Sequence, residues 1–346
     1  MKRTVVLHIG PHKTGTTYIQ QAFSEASAVL AQHHIYYPLD EQENGYGQHK
    51  VVQQLRDDHH SPLLAKFLQD CPAGHDLFLS SESFSRLTPA AVAGMAKQLQ
   101  GCQVVVLYTV RPVADALFSN WQQQVKVGIH ETWAEFLLGH LAQPRTSQIV
   151  NPMASLDAFR QAFPNSIRLL DYAGIVESGK NIANAVIEAG LGRELPEFSA
   201  GAANPSLPLS VAEIIRALNI IYARSTGAPS KGFKVYRVIR KVLRKSPEDL
   251  AALKSRVEAF SAEFDPAQLC ADLPIRREFM AAYGECFVGP RATAAPKVKQ
   301  LKLPSSAWLQ DTQTLNQLEQ LYTQLDFEPP RGARRRKSPD AQDAKE

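Results

Sequence analysis

Cysteine is scarce in this chain of 346 residues, with four in all: Cys71, Cys102, Cys270 and Cys286. None stands in a C-x-x-C pair, and no histidine spacing accompanies them, which argues against a zinc site and against a disulfide scaffold. Scattered thiols in a reducing compartment are the expectation. Long apolar runs are also missing, since no stretch approaches the roughly 18 apolar residues needed to span a bilayer. The opening Met1-Lys2-Arg3 and the apolar residues after it resemble the start of a signal peptide. That run breaks at His8 and Gly10, too early for an h-region, so a cytoplasmic protein is expected. Nor does one sign of charge dominate. Lys and Arg number 38 against 34 Asp and Glu, and this net +4 suits anionic ligands without calling for nucleic acid.

What is present is ordinary globular composition, 44% hydrophobic and 21% charged, enough for a sizeable core. Val5 to Ile9 is a short apolar run ending in Gly-Pro, a buried strand entering a loop. Ile19, Ala22, Phe23 and Ala26 then fall at helical spacing. Residues 40–62 are polar and predict a loop or short polar helix with little core. Leu77-Phe78-Leu79 predicts a second strand, and Thr88-Pro89 a helix start with Thr88 as N-cap. Gln103 to Val110 is the strongest strand signal, with a helix following from Val113 to about Gln124. Ser166 to Leu170 predicts a fourth strand, and Asn181 to Ala189 a helix closed by Gly190.

Strands alternating with helices predict an α/β fold, a mostly parallel sheet flanked by helices. Beyond about residue 200 the pattern reads as wholly helical: Ser210 to Tyr222, Lys234 to Leu243, Pro247 to Phe260 and Thr312 to Leu325. The expected organisation is one domain over 1–330, with a nucleotide-binding core to about 195 and a helical extension after it. The tail 331–346 has almost no apolar content and is expected to be disordered.

Gly10-Pro-His-Lys-Thr-Gly-Thr-Thr17 lies where a strand hands over to a helix, so backbone N–H groups and the helix N-terminus form an anion cradle. Gly10 and Gly15 share the spacing of the Walker A pattern. The residue after Gly15 is Thr16, however, and the lysine lies earlier, at Lys13. A P-loop kinase also needs a carboxylate to help hold Mg²⁺, whereas the strand 104–110 ends in Thr-Val and is followed by Arg111. A displaced lysine without that carboxylate suits a short anionic chain held without magnesium.

Pro-x-Lys-Thr-Gly-Thr-Thr after a first strand resembles the 5′-phosphosulfate loop of the PAPS-dependent sulfotransferases (PAPS is 3′-phosphoadenosine 5′-phosphosulfate), with His12 at x. It looks most like the bacterial members of that superfamily. Arg111 and Ser119, eight residues apart, resemble the pair that holds the donor's 3′-phosphate. The resemblance runs in order from about residue 4 to 190 and thins after 220. It implies a P-loop-type fold and PAPS as co-substrate with PAP (adenosine 3′,5′-bisphosphate) as product, with no metal. Lys13, Thr14, Gly15, Thr16, Thr17, Arg111 and Ser119 are the implied donor-binding residues.

Sulfuryl transfer needs neutralisation of the departing phosphate and removal of the acceptor's proton. Lys13 is the residue for the first task. Glu82, just past a strand's C-terminal end, resembles the base of the carbohydrate branch. The cytosolic branch uses histidine, so His12, His8 and His130 stay open, His12 foremost. Asp115 reads as surface charge, and Trp121 and Trp133 as packing.

The implied function is transfer of a sulfuryl group to a hydroxyl or amine of a small molecule or glycan, with carbohydrate or glycolipid favoured. Two other readings stay open: a P-loop kinase or NTPase using ATP–Mg²⁺, and a non-catalytic nucleotide- or glycan-binding module on the same fold. Residues 231–245 carry seven Lys or Arg and no acid on an amphipathic helical pattern. A solvated face, a rim attracting an anionic ligand, and peripheral contact with an acidic membrane stand side by side there. The acceptor's identity and the oligomeric state are not readable from the sequence.

Overall fold

A computed structural model describes residues 2–39, 46–198, 207–227, 236, 250–293 and 301–324. The described chain divides into two compact units, the first built from 1–120, 136–206 and 265–301, the second from 121–135, 207–264 and 302–346.

The first unit is a five-stranded parallel sheet in the order β2-β3-β1-β4-β5, flanked by helices. Its strands are β1 (Thr4–His8), β2 (Ile35–Tyr36), β3 (Asp76–Ser80), β4 (Gln103–Val110) and β5 (Ile167–Asp171). Between β1 and β3 lie α1 (Thr16–Glu25), α2 (Ser27–Gln32), α3 (His49–Asp58) and α4 (Pro62–Asp70). Further along come α5 (Pro89–Gln98), α6 (Val113–Val127), α7 (Trp133–Ala142), α8 (Met153–Ala162), α9 (Tyr172–Glu177) and α10 (Ile182–Leu191).

The central strands are buried on both faces, which is why they read as continuous apolar runs. Alternate residues feed two cores. Val5 and Leu7 pack with α3, α4, α5 and α8, whereas Val6 packs with Ile19 and Phe23 of α1 and with α10. In register, His8 of β1 lies beside both Ser80 of β3 and Leu107 of β4, so these three strands deliver their exits to one edge of the sheet. The outer edge of β5 is covered at Leu169 by Phe287, and Val288 N–H donates to the Leu169 carbonyl at 2.9 Å.

Thr88 caps α5 as its sequence predicts, accepting from Ala91 N–H at 3.2 Å. Two local expectations are corrected. The polar stretch 40–62 contributes core, because Val51, Val52 and Leu55 on α3 are fully buried despite their polar neighbours. Helix α10 does not end at Gly190 but runs on to Leu191, with Gly192 in the left-handed conformation (φ 66°) as its cap. Gly190 serves packing instead: a Cβ there would meet Val6 at 3.1 Å and Leu107 at 3.2 Å, so glycine lets the helix approach the sheet.

The second unit contains α11 (Leu209–Thr226), α12 (Ala251–Ala259) and, after α13 (Pro266–Ala271) and α14 (Pro274–Tyr283) of the first unit, α15 (Thr312–Gln324). The sequence predicts only helices here. The structure adds a two-stranded sheet of β6 (Ser261–Phe264) and β7 (Leu301–Pro304), each too short to show an apolar period. Glu213 and Arg216 on α11 form a buried ion pair at 2.7 Å, and Arg216 also donates to the His130 carbonyl at 3.1 Å. Such a pair holds its geometry because removing either partner strands a buried charge. Trp121 and Trp133 are fully buried in this unit and do pack, with ring centroids 5.9 Å apart. The expected helix 234–243, the 231–245 basic stretch apart from Tyr236, and the 331–346 tail lie outside the described residues.

Candidate active site

The β1–α1 loop is seated by its neighbours on both sides. Ile9 N–H donates to Leu107 O at 3.0 Å, and Thr109 N–H donates to Gly10 O at 2.9 Å, so β4 continues to grip the chain past the end of β1. A Cβ on Gly10 would lie 2.9 Å from the Glu82 Cα, and Gly10 has φ 94°; only glycine fits this contact. Lys13 (φ 69°) and Gly15 (φ 84°) are also left-handed, the alternation that turns successive N–H groups toward one concavity. Thr14 closes the turn by donating its hydroxyl to Pro11 O at 2.7 Å.

Helix α1 starts at Thr16 with Gly15 as N-cap and no side chain capping it. The first-turn N–H groups are therefore left for a ligand, with the helix dipole favouring an anion. Among the described residues, no side chain bonds the Thr16 or Thr17 hydroxyls. Thr16 is buried and Thr17 exposed.

Arg111 follows β4 and reaches back to this loop. Its Nη1 donates to Lys13 O at 2.6 Å, and its guanidinium lies over the Tyr172 ring, 5.1 Å from the centroid. The buried Nε has no partner among the described residues. Ser119 lies on α6, half-buried, with no hydrogen bond among the described residues. The sequence pairs Arg111 with Ser119, but the bonded neighbour is the loop itself.

Glu82 stands in the first turn after β3, brought to the loop because β1 and β3 are adjacent. Its Oε1 is 3.6 Å from His12 Nδ1, and its Oε2 accepts from Gln20 Nε2 at 3.1 Å. Burial alone raises the Glu82 carboxyl. Its own backbone N–H, His12, His49 and the Gln20 amide outweigh this and hold it below the usual 4.5. Burial lowers the His12 imidazole, against the opposing pull of Glu82 and with help from Arg86, Lys13 and His49. At neutral pH the pair is therefore carboxylate and neutral imidazole.

His8, open as a base from sequence, is wholly buried at the end of β1. Its Nδ1 bonds Ser80 Oγ at 2.9 Å, and burial pushes it down to about 4, so it is neutral and enclosed. His130 belongs to the second unit.

Several groups here carry little sequence signal. Gln20 is one exception, a buried amide amid the apolar stripe of α1 and thus the kind of polar residue that marks a network. It also donates toward Ser80 O at 3.3 Å. Gln48 fixes the end of β3, accepting from Ser80 N–H at 2.6 Å and donating to Pro38 O at 2.7 Å. Ser81 Oγ pairs with His49 Nδ1 at 2.8 Å. Among the described residues no group of three or more His, Cys, Asp or Glu side chains is placed to hold a metal, and no helix is long and apolar enough to cross a membrane.

No protein-family model matches the chain, and no curated protein matches it. Among solved structures it is similar to the crystal structure of a sulfotransferase from Alicyclobacillus acidocaldarius, at 12% identity and a TM-score of 0.39, over 65% of this chain and 96% of that one.

Proposed function

We propose that this protein is a sulfotransferase that moves a sulfuryl group from PAPS to a hydroxyl or amine of a carbohydrate or glycolipid acceptor, by in-line displacement. The observation that carries the reading is the hydrogen bond that ties Arg111 to the loop. Arg111 donates to the carbonyl of Lys13, the lysine of the uncapped loop, while its buried Nε has no partner among the described residues. A donor with a 5′-phosphosulfate and a 3′-phosphate has one anion for the loop and one for the arginine. The residues present fit such a donor, since the loop offers N–H groups and two threonine hydroxyls and the arginine offers an orphaned Nε.

PAPS supplies an activated sulfuryl group on a phosphate leaving group. In this reading the α1 N-terminus with Thr16 and Thr17 binds the 5′-phosphate, and Lys13 neutralises charge on the departing oxygen. Arg111, with Ser119 eight residues further along, orients the donor through its 3′-phosphate. Glu82 takes the acceptor's proton, held in place by the Gln20 amide, with His12 as its neutral neighbour.

Thermal denaturation in the presence of nucleotides tests the donor. PAP at about 100 times its Kd is expected to raise the melting temperature by roughly 3–8 °C without magnesium, and the rise is expected to vanish in Arg111→Ala. A response to ATP–Mg²⁺ with none to PAP would replace this reading with the kinase one.

A further inference from the structure

A cavity of about 50 Å³ opens beside the loop, at the end of β4. It is lined by Pro11 and His12 of the loop and by three arginines from separate segments: Arg86 after Glu82, Arg111, and Arg276 in the first turn of α14. No carboxylate is among its lining residues.

Arg111 is engaged by the Lys13 carbonyl and the Tyr172 ring, but the other two arginines are not. Arg86 and Arg276 form no side-chain hydrogen bond or ion pair among the described residues. The carboxylate that favours the Arg276 charge is Asp171, which is already engaged by Ala173 N–H at 3.1 Å, Ala292 N–H at 3.0 Å and Arg291 at 3.6 Å. Burial works against the Arg276 charge. The Thr109 hydroxyl, fully buried at the cavity wall, has no partner either. The buried Arg111 Nε and Thr109 Oγ1 are the lining donors without a partner among the described residues, a cost that a ligand could offset.

The cavity is bordered mainly by elements from the face of the sheet away from α1, with Thr14 of the loop also lining it. The 3₁₀ turn Glu82–Arg86, α8 and α14 belong to the core packed on Val5 and Leu7, whereas α1, whose N-terminus cradles the donor phosphate, belongs to the core packed on Val6. The cavity also adjoins His12, the neighbour of Glu82.

Resting on the sulfotransferase reading, we propose that this cavity binds an anionic substituent of the acceptor, so that the enzyme sulfates an acidic saccharide, one carrying a carboxylate or a sulfate ester close to the reacting hydroxyl. Guanidinium groups suit either anion through paired hydrogen bonds.

The test is ligand-observed NMR titration of the full chain with methyl glucuronide, methyl glucoside 6-sulfate and methyl glucoside, each with and without PAP. The acidic sugars are expected to bind about tenfold or more tighter than the neutral one. Whichever acidic sugar is favoured identifies the anion. Arg276→Gln and Arg86→Gln are each expected to erase most of that preference while leaving the Kd for PAP within about twofold. Arg86 is exposed, so its variant reads binding even if Arg276→Gln fails to fold. Equal binding of all three sugars, or a preference that survives in Arg86→Gln, would overturn the proposal. So would variants that weaken PAP as much as the acidic sugar, for the cavity would then belong to the donor. Failure of PAP to bind at all would remove the donor reading, whereas the sugar preference would still report on the cavity.

Discussion

Replacing Lys13 with methionine is expected to slow sulfuryl transfer by about a thousandfold while leaving PAP affinity within about fivefold of the parent. Methionine keeps the length and apolar stem of lysine and removes only the charged head. The split follows from position. In the proposed reading Lys13 sits inside a turn whose N–H groups and helix dipole would hold the donor's phosphate, so ground-state binding has other sources. Charge on the leaving oxygen grows only in the transition state, and a preorganised cation there is worth about 4 kcal/mol, or about three powers of ten. The left-handed backbone at Lys13 fixes where that charge stands, since its carbonyl is pinned by Arg111. Single-turnover release of PAP from PAPS, beside a PAP binding isotherm, separates the two effects. A loss confined to affinity would make Lys13 a simple phosphate contact.

Glu82→Gln is the second large effect, with kcat expected to fall about 10²–10⁴-fold. Glutamine preserves the size of the side chain and its contact with Gln20, so the loss reports the missing charge. The pH profile adds a sign. The Glu82 carboxyl is held below 4.5, so its base form persists into acid, and kcat is expected to stay level from neutral pH down and to fall only below 4.5. His12→Ala is expected to keep that acid limb, and Glu82→Gln to lose it. The reverse pattern, with the limb kept in Glu82→Gln and lost in His12→Ala, would transfer the role to the imidazole.

Much of the frame is legible in the residues alone. Gln103–Val110 is continuous and apolar, closed by Arg-Pro, and it forms β4 with those same bounds. Thr88-Pro89 and Asn181 act as helix starts because capping is local chemistry. What depends on distant contacts was hidden. Helix α3 looks polar in sequence, yet three of its residues complete a core whose other members include residues of β1, β3, β4, α4, α5 and α8. Gly190 reads as a stop signal, whereas it marks close approach to Val6 and Leu107.

The site divides the same way. The loop and Arg111 stand out as short motifs, but the meeting of His12, Gln20 and Glu82 requires β1 and β3 to be neighbours, which no local pattern states. Arg276 is less visible still, one of two adjacent arginines on an amphipathic helix late in the chain. Its pairing with Arg86 at one cavity comes only from the fold.

The central claim is that this site recognises a nucleotide by its 3′-phosphate through Arg111. The most direct measurement is calorimetric binding of PAP and of adenosine 5′-phosphate, which lacks that group, to the parent and to Arg111→Ala. The account predicts that PAP binds the parent at least about thirtyfold tighter than adenosine 5′-phosphate and that the ratio falls to near one in the variant. Equal ratios in the two proteins, or no preference for PAP in the parent, would contradict it.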